Sequence, residues 1–268
     1  MFNDNPRRQQ QIATAIERVL VVDPHVQSAR LMSELLRADY PCEVYHAPSV
    51  EHGFKLAQSM EPRLIFVEHP VTGLDGYALA RAIRRSDLPC RKAPIIMVTA
   101  EATAGAILKA RDAGLHEFLR KPYTAGDLQK RLEAVALKPR DWVEAVQYIG
   151  PDRRRFNSAD YSGPRKRRND ADRGSDESRM AQALKIVRSA AGCLDSDLNQ
   201  VRRALAAQAV ELQSNRAAPP PLKILANSVA GWCARAETLT PQLRLELSTS
   251  VVEMVAFLPA EPSTERAA

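Results

Sequence analysis

Three short runs in the first half of this chain are apolar at every position: Val19-Leu20-Val21-Val22, Leu64-Ile65-Phe66-Val67 and Ile95-Ile96-Met97-Val98. A strand with no polar face must be covered on both sides, as the central strands of a helix-layered parallel sheet are. Glu43-Val44-Tyr45 and Glu117-Phe118-Leu119 add two shorter strand-like runs. Residues 27–37, 50–59, 77–85, 102–113 and 125–137 lie between or after these runs and suit helices, the first with Leu31, Leu35 and Leu36 on one face. Five strand–helix units in residues 18–137 predict an α/β, doubly wound five-stranded parallel sheet.

With 268 residues, the chain has room for a second domain. No strand signal follows residue 178. Met180, Leu184, Val187, Ala191, Leu194, Leu198, Val201 and Leu205 instead follow at alternating spacings of four and three, an amphipathic seam of heptad character. Gly192 interrupts it, so one long helix or two consecutive ones fit the pattern. Beyond Pro219-Pro220-Pro221, a face of Leu222, Leu225, Val229, Trp232 and Ala236 predicts another helix, and Thr240-Pro241 has the form of an N-cap with proline at the first helical position. A last helix carries Leu243, Leu247, Val251, Met254 and Leu258. The domain plan is an N-terminal extension (1–17), the α/β domain (18–137), a basic linker (138–178), a small all-α interaction or dimerisation domain (179–258) and a disordered tail (259–268).

Within that linker, residues 150–170 carry a net charge of +4, against +6 for the whole chain. Between Gly150 and Asp170, seven basic residues (Arg153, Arg154, Arg155, Arg165, Lys166, Arg167, Arg168) stand against three acidic ones. The stretch also repeats itself: Tyr148-Ile149-Gly150-Pro151 with its arginines recurs thirteen residues later as Tyr161-Ser162-Gly163-Pro164 with Arg165 to Arg168. Gly-Pro breaks regular structure, so 138–178 reads as an exposed connector. Cys42, Cys90, Cys193 and Cys233 are widely spaced and form no C-x-x-C pair, which argues against a zinc knuckle or a disulfide framework and for small buried apolar groups. There is no run of 18 apolar residues and no secretory signal pattern at the N-terminus, so a cytoplasmic protein without a transmembrane segment is expected.

Ligands of an open parallel sheet bind outside the carboxyl ends of its strands. Asp23, Glu68, Thr99 and Lys121 fall at those ends, so two acids, a hydroxyl and an ammonium should converge at one edge. Val21-Val22-Asp23, Pro62-x-Leu64-Ile65 leading to the acid at 68, Gly73-Leu74-Asp75-Gly76, Val98-Thr99-Ala100 and Lys121-Pro122 together resemble the receiver domain of two-component response regulators, a flavodoxin-like fold. The resemblance implies that position 68 is the phosphoacceptor, served by a histidine kinase, with Mg²⁺ held by two acids after the first strand. Thr99 and Lys121 would then grip the phosphoryl oxygens, and Phe118 would be the aromatic that changes rotamer.

The sequence departs from that pattern twice. Glu68 carries one methylene more than aspartate, which moves its carboxylate about 1.5 Å outward, and Pro24 replaces the second acid and supplies no side-chain oxygen. No metal or other cofactor is therefore expected, beyond weak attraction of Mg²⁺ by Asp23; His25 and His69, each beside one acid, lack the spacing of a ligand set.

These departures imply a degenerate receiver acting as a signalling adaptor rather than an enzyme, in which Glu68 lies near Thr99 and Lys121 and holds one signalling conformation. The same residues also suit a plain structural ion pair between Glu68 and Lys121. Expected partners are a sensor kinase or a downstream signalling protein, and a second copy of the chain through the C-terminal seam. All five histidines precede residue 117, so the helical region cannot accept phosphate on histidine. The competing reading makes the arginine repeat an anion site for a cyclic dinucleotide or a nucleic acid, its arginines gripping phosphates and Tyr148, Phe156 and Tyr161 stacking on bases. A third reading is an ordinary phosphorylated response regulator.

Overall fold

In the computed structural model, residues 6–70, 74–101, 103–153 and 175–258 are described. They fall into two compact units. In the first, β1 (Arg18–Val22), β2 (Glu43–Ala47), β3 (Leu64–Glu68), β4 (Ile95–Thr99) and β5 (Glu117–Arg120) form one sheet in the order β2-β1-β3-β4-β5. All four pairings are parallel, with Val19 beside Leu64, Ile65 beside Ile95 and Ile96 beside Glu117. Every residue of β3 and β4 is buried, as their unbroken apolar runs require.

Helices cover both faces. α3 (Val50–Met60), α4 (Gly76–Arg85) and α5 (Ala104–Asp112) enclose one core, around Leu20, Val22, Ile65, Val67, Ile95 and Met97. α2 (Val26–Asp39) and α6 (Ala125–Leu137) enclose the other, around Val19, Val21, Leu64, Phe66, Ile96 and Val98. The buried stripe of α2 is Ala29, Met32 and Leu36; Leu31, expected on that face, is exposed. The N-terminal extension contains a helix the sequence reading did not assign, α1 (Pro6–Ala15), which packs on α6 and buries Ile12 and Ala13, with Ile16 just beyond it.

The expected connector at 138–178 is corrected over its first part. β6 (Trp142–Glu144) and β7 (Ile149–Pro151) pair as a two-stranded ribbon, with Tyr148 and Ile149 buried. Gly150 is here for closeness rather than for breaking structure: a Cβ on it would stand 2.8 Å from the Cα of Gly114, and one on Gly114 (φ 83°) would stand 2.6 Å from the Ile149 carbonyl. The fully buried Arg84 donates to the carbonyls of Gly114 (3.0 Å) and Ala93 (2.9 Å), and its guanidinium lies 5.3 Å from the Trp142 ring. Arg140 donates to the carbonyls of His116 and Asp152.

The second unit holds α7 (Asp176–Ala191), α8 (Leu198–Ser214), α9 (Pro220–Arg235) and α10 (Pro241–Val255), with Glu144–Gln147 counted beside them. α7 packs on α8, α8 on α9, α9 on α10, and α10 back on α7, which closes a four-helix bundle. The heptad seam is two helices: Gly192 caps the first, and the Asp197 carboxylate accepts from the Gln200 amide to start the second. Leu184, Val187, Leu194, Val201 and Leu205 are buried in the bundle's own core with Leu222, Trp232, Leu247 and Met254. Most of the seam's apolar face is therefore core of this bundle, with Met180, Ala191 and Leu198 only partly buried. Cys90 and Cys233 are buried and Cys42 and Cys193 half-buried, all as free thiols.

Trp232 is buried and its indole N–H donates to the Leu243 carbonyl at 2.7 Å, tying α9 to α10. Trp232→Ala should cost about 3–5 kcal/mol, as large aromatic truncations in cores do, read as a lower urea midpoint for the helical transition. In the first unit, His116 Nδ1 accepts from Arg84 Nη2 (3.2 Å) and from the Ile95 amide (3.3 Å), so the buried ring is neutral. Burial, then the Arg84 and Arg140 charges, hold its pKa well below 6.5. The unfolded chain therefore binds the extra proton first, and stability is full above about pH 6.5 and lost as pH falls below it. His116→Asn, which keeps an acceptor, should flatten that acid limb in denaturation curves measured from pH 7 to pH 5.

Candidate functional site

The strand order reverses between β1 and β3, and the carboxyl ends of these strands carry the two acids. Asp23 immediately follows β1, Glu68 ends β3, Thr99 ends β4 and Lys121 follows β5. All but Lys121 are buried. Gly76, the first residue of α4, lets that helix start against the end of β3: a Cβ there would stand 2.9 Å from the Glu68 carbonyl oxygen. The Asp75 carboxylate caps the same helix, accepting from the Tyr77 and Ala78 amides at 3.0 Å each.

Lys121 Nζ donates to Glu68 Oε1 at 2.6 Å and lies 3.8 Å from Asp23 Oδ2. One ammonium thus serves two carboxylates. Asp23 Oδ1 also accepts from the His25 amide at 2.7 Å. Glu68 Oε2 is buried without a hydrogen-bond partner. Burial pushes the Glu68 carboxyl up, Asp23 pushes it further, and Lys121 opposes both. Tyr123, on the pocket wall, is raised by burial and then by Asp23 and Glu68.

The structure brings together Asp23, Glu68 and Lys121 as expected, and the ion-pair reading describes Glu68 and Lys121. The expected approach of Glu68 to Thr99 is not observed as a bond: the Thr99 hydroxyl accepts from the Glu101 amide (2.9 Å) and donates to the Glu101 carbonyl (3.2 Å). Phe118 is buried in the α3–α4–α5 core beside Met97. The two histidines, treated alike from sequence, part company. His69 packs on Tyr77 with centroids 4.0 Å apart and ring planes tilted by 53°, while His25 sets Nδ1 3.4 Å from Asp23 Oδ1. The signal missed was spacing: two residues past the acid, the chain turns back over it at the start of α2.

Of the anion candidates, Arg153 pairs with Asp112 at 3.1 Å and lies over the Tyr148 ring at 4.5 Å. The phenol of Tyr148 donates to the Pro151 carbonyl at 2.6 Å. Tyr148 and Arg153, the described part of the first copy's tyrosine–arginine set, are thus engaged with neighbouring groups of the same unit. Arg154, Arg155, Arg165, Lys166, Arg167 and Arg168 lie outside the described residues, as do Phe156 and Tyr161. No helix among the described residues is long and apolar enough to cross a membrane.

A doubly wound parallel sheet with two acids, a threonine and a lysine at its carboxyl edge is the architecture of a phosphoryl-signalling receiver. Residues 19–133 match the response regulator receiver domain, and this part of the chain is such a domain. It is 28% identical over 118 residues to the chemotaxis protein CheY of Pseudomonas aeruginosa, an alignment covering 44% of this chain and 94% of that one. It is 34% identical over 128 residues to a protein-glutamate methylesterase/protein-glutamine glutaminase of Nocardioides sp., covering 46% of this chain and 34% of the relative. The chain therefore spans about a third of that relative's length. The CheY4 structure of Vibrio cholerae aligns with a TM-score of 0.42 at 25% identity, covering 45% of this chain and 98% of that one.

The family implies Mg²⁺ in this pocket, and the residues do not fit it. Mg²⁺ asks for a near-octahedral shell of oxygens. Here Pro24 offers no side-chain oxygen, Glu68 Oε1 is already bonded to Lys121, and the next group beside Asp23 is an imidazole.

Removing the ammonium leaves two carboxylates facing each other. Lys121→Met should cost about 1–3 kcal/mol, the range for stranding a buried polar partner. It should fall below the penalty of a fully buried pair because the Lys121 side chain is 24% exposed. Adding Glu68→Gln to it should restore part of the loss, read as a non-zero coupling energy in a double-mutant denaturation cycle.

Proposed function

We propose that this chain is an atypical response-regulator adaptor, which signals through protein–protein contacts of its receiver domain rather than through a phosphorylated side chain. The observation that carries this reading is the 2.6 Å bond between Lys121 and Glu68. Phosphoryl transfer to a receiver needs an acceptor oxygen placed in line with the donor, charge neutralisation at the leaving group and a free lysine to meet the incoming oxygens. Glu68 sets its carboxylate one methylene further out and commits one oxygen to that lysine. A displacement of about 1 Å alone can cost a hundredfold in rate. The absent second acid at Pro24 removes a further part of the apparatus.

The docked ammonium gives the domain a fixed charge pattern at its carboxyl edge, and a partner reads that pattern without a phosphorylation event. A sensor kinase or a downstream signalling protein is the partner class. The four-helix bundle supplies a second interaction domain, and the chain carries no catalytic step of its own in this reading.

Incubating the full chain with acetyl phosphate and Mg²⁺ should leave its intact mass unchanged. The reading is overturned by a mass increase of one phosphate that disappears in Glu68→Gln.

A further inference from the structure

The charge in the pocket does not close. Asp23 and Glu68 are 5% and 8% exposed, and one ammonium stands against their two carboxylates. Lys121 meets Glu68 through Oε1, so Oε2 is left buried with no hydrogen-bond partner. A buried carboxylate oxygen in that state is costly and calls for a cation or a proton. Beside it is a cavity of about 10 Å³, room for one water-sized guest, with Asp23, Glu68, Ser28 and Tyr123 on its polar side and valines, Met32 and Phe66 forming the rest of its wall.

A third donor, outside the cavity's lining, stands close to the two acids. Ligand atoms of Asp23, His25 and Glu68 all lie within 4.8 Å of one another. His25 Nδ1 stands 3.4 Å from Asp23 Oδ1, which is about the separation of two ligands on a tetrahedral ion bound at about 2.1 Å. The His25 side chain is 60% exposed, so it can turn the remaining distance toward Glu68 without disturbing the core.

We propose that Asp23, His25 and Glu68 form a binding site for a borderline divalent cation of the zinc class, and that the imidazole makes it selective against Mg²⁺. Two carboxylates and one imidazole are a zinc-type donor set with a position left open. Imidazole suits zinc, copper, iron and nickel, whereas carboxylate, carbonyl and water suit magnesium. Pro24 removes an oxygen and His25 supplies a nitrogen, so the substitutions that unmake a magnesium site make this one. The inference goes beyond the adaptor reading and stands apart from it, because metal binding succeeds or fails whether or not Glu68 takes up a phosphate.

The test is titration of the full chain with Co²⁺, a spectroscopic substitute for Zn²⁺, followed by visible absorption. The expected result is a saturable band at a single equivalent, without the thiolate charge-transfer absorption that cysteine ligation would give. Zn²⁺ should abolish it and a large excess of Mg²⁺ should not. His25→Ala and Glu68→Gln should each weaken binding by at least about tenfold, the smaller end of what even second-shell changes cost at metal sites. His69→Ala, at a ring packed against Tyr77, should leave it unchanged. Far-UV circular dichroism checks that each variant is folded, and the exposed position of His25 makes His25→Ala the decisive one. Absence of a saturable band, displacement by Mg²⁺, or a band retained in His25→Ala would each overturn the proposal.

Discussion

Two carboxylates at the end of an apolar sheet share one ammonium, and the character of this receiver follows from that imbalance. The sheet leaves little freedom to relieve it. β1 and β3 are adjacent and in parallel register, Val22 beside Val67, so the residues that follow, Asp23 and Glu68, emerge side by side. The strands are buried on both faces, and neither acid can retreat into water without unpicking Val, Ile and Leu packing worth about 1.5–3 kcal/mol per side chain. Lys121, on the far side of β4, reaches across to them. Its charge meets Glu68 at 2.6 Å. The pocket is thus a place where the fold forces like charges together and the chain supplies half of the compensation.

The same economy of charge governs the opposite end of the sheet. Arg84 is buried among carbonyl acceptors, with Trp142 over its guanidinium, and Arg140 spends its donors on the carbonyls of His116 and Asp152. These cations bind backbone rather than an external anion. Within β5, Glu117 is buried and pairs with Arg131 of α6 at 3.3 Å. Formal net charge is therefore a poor guide to ligands in this chain, because several of its basic residues are internal fasteners.

How much of this was legible in the sequence depended on the range of the physics. Three of the five strands were legible because continuous apolar runs admit one environment, the other two as shorter strand-like runs, and the convergence of Asp23, Glu68 and Lys121 followed from the rule about carboxyl ends. The ribbon after residue 138 was not. Its Gly-Pro step carries the signature of a break, while its function is to let Gly150 approach Gly114, a residue 36 positions away that no local pattern reveals. α1 was missed for a related reason: Ile12, Ala13 and Ile16 are a short apolar patch in a polar segment, meaningful only once α6 is present to receive it. The heptad seam was legible as an apolar face of a bundle or a dimerisation module, since periodicity reports that a face is buried and is silent on which chain buries it.

The two histidines show where such reading ends and geometry takes over. Each follows an acid closely, and composition treats them as equals. Backbone direction separates them: the chain after β3 leads His69 toward Tyr77, whereas the chain after β1 passes Pro24 and enters α2, which turns the His25 ring back over Asp23. A proline in place of an acid is a loss when each position is weighed alone. Weighed with its neighbour, it is an exchange of one donor for another, from a hard oxygen to an imidazole nitrogen, at a site whose negative charge the lysine only half offsets.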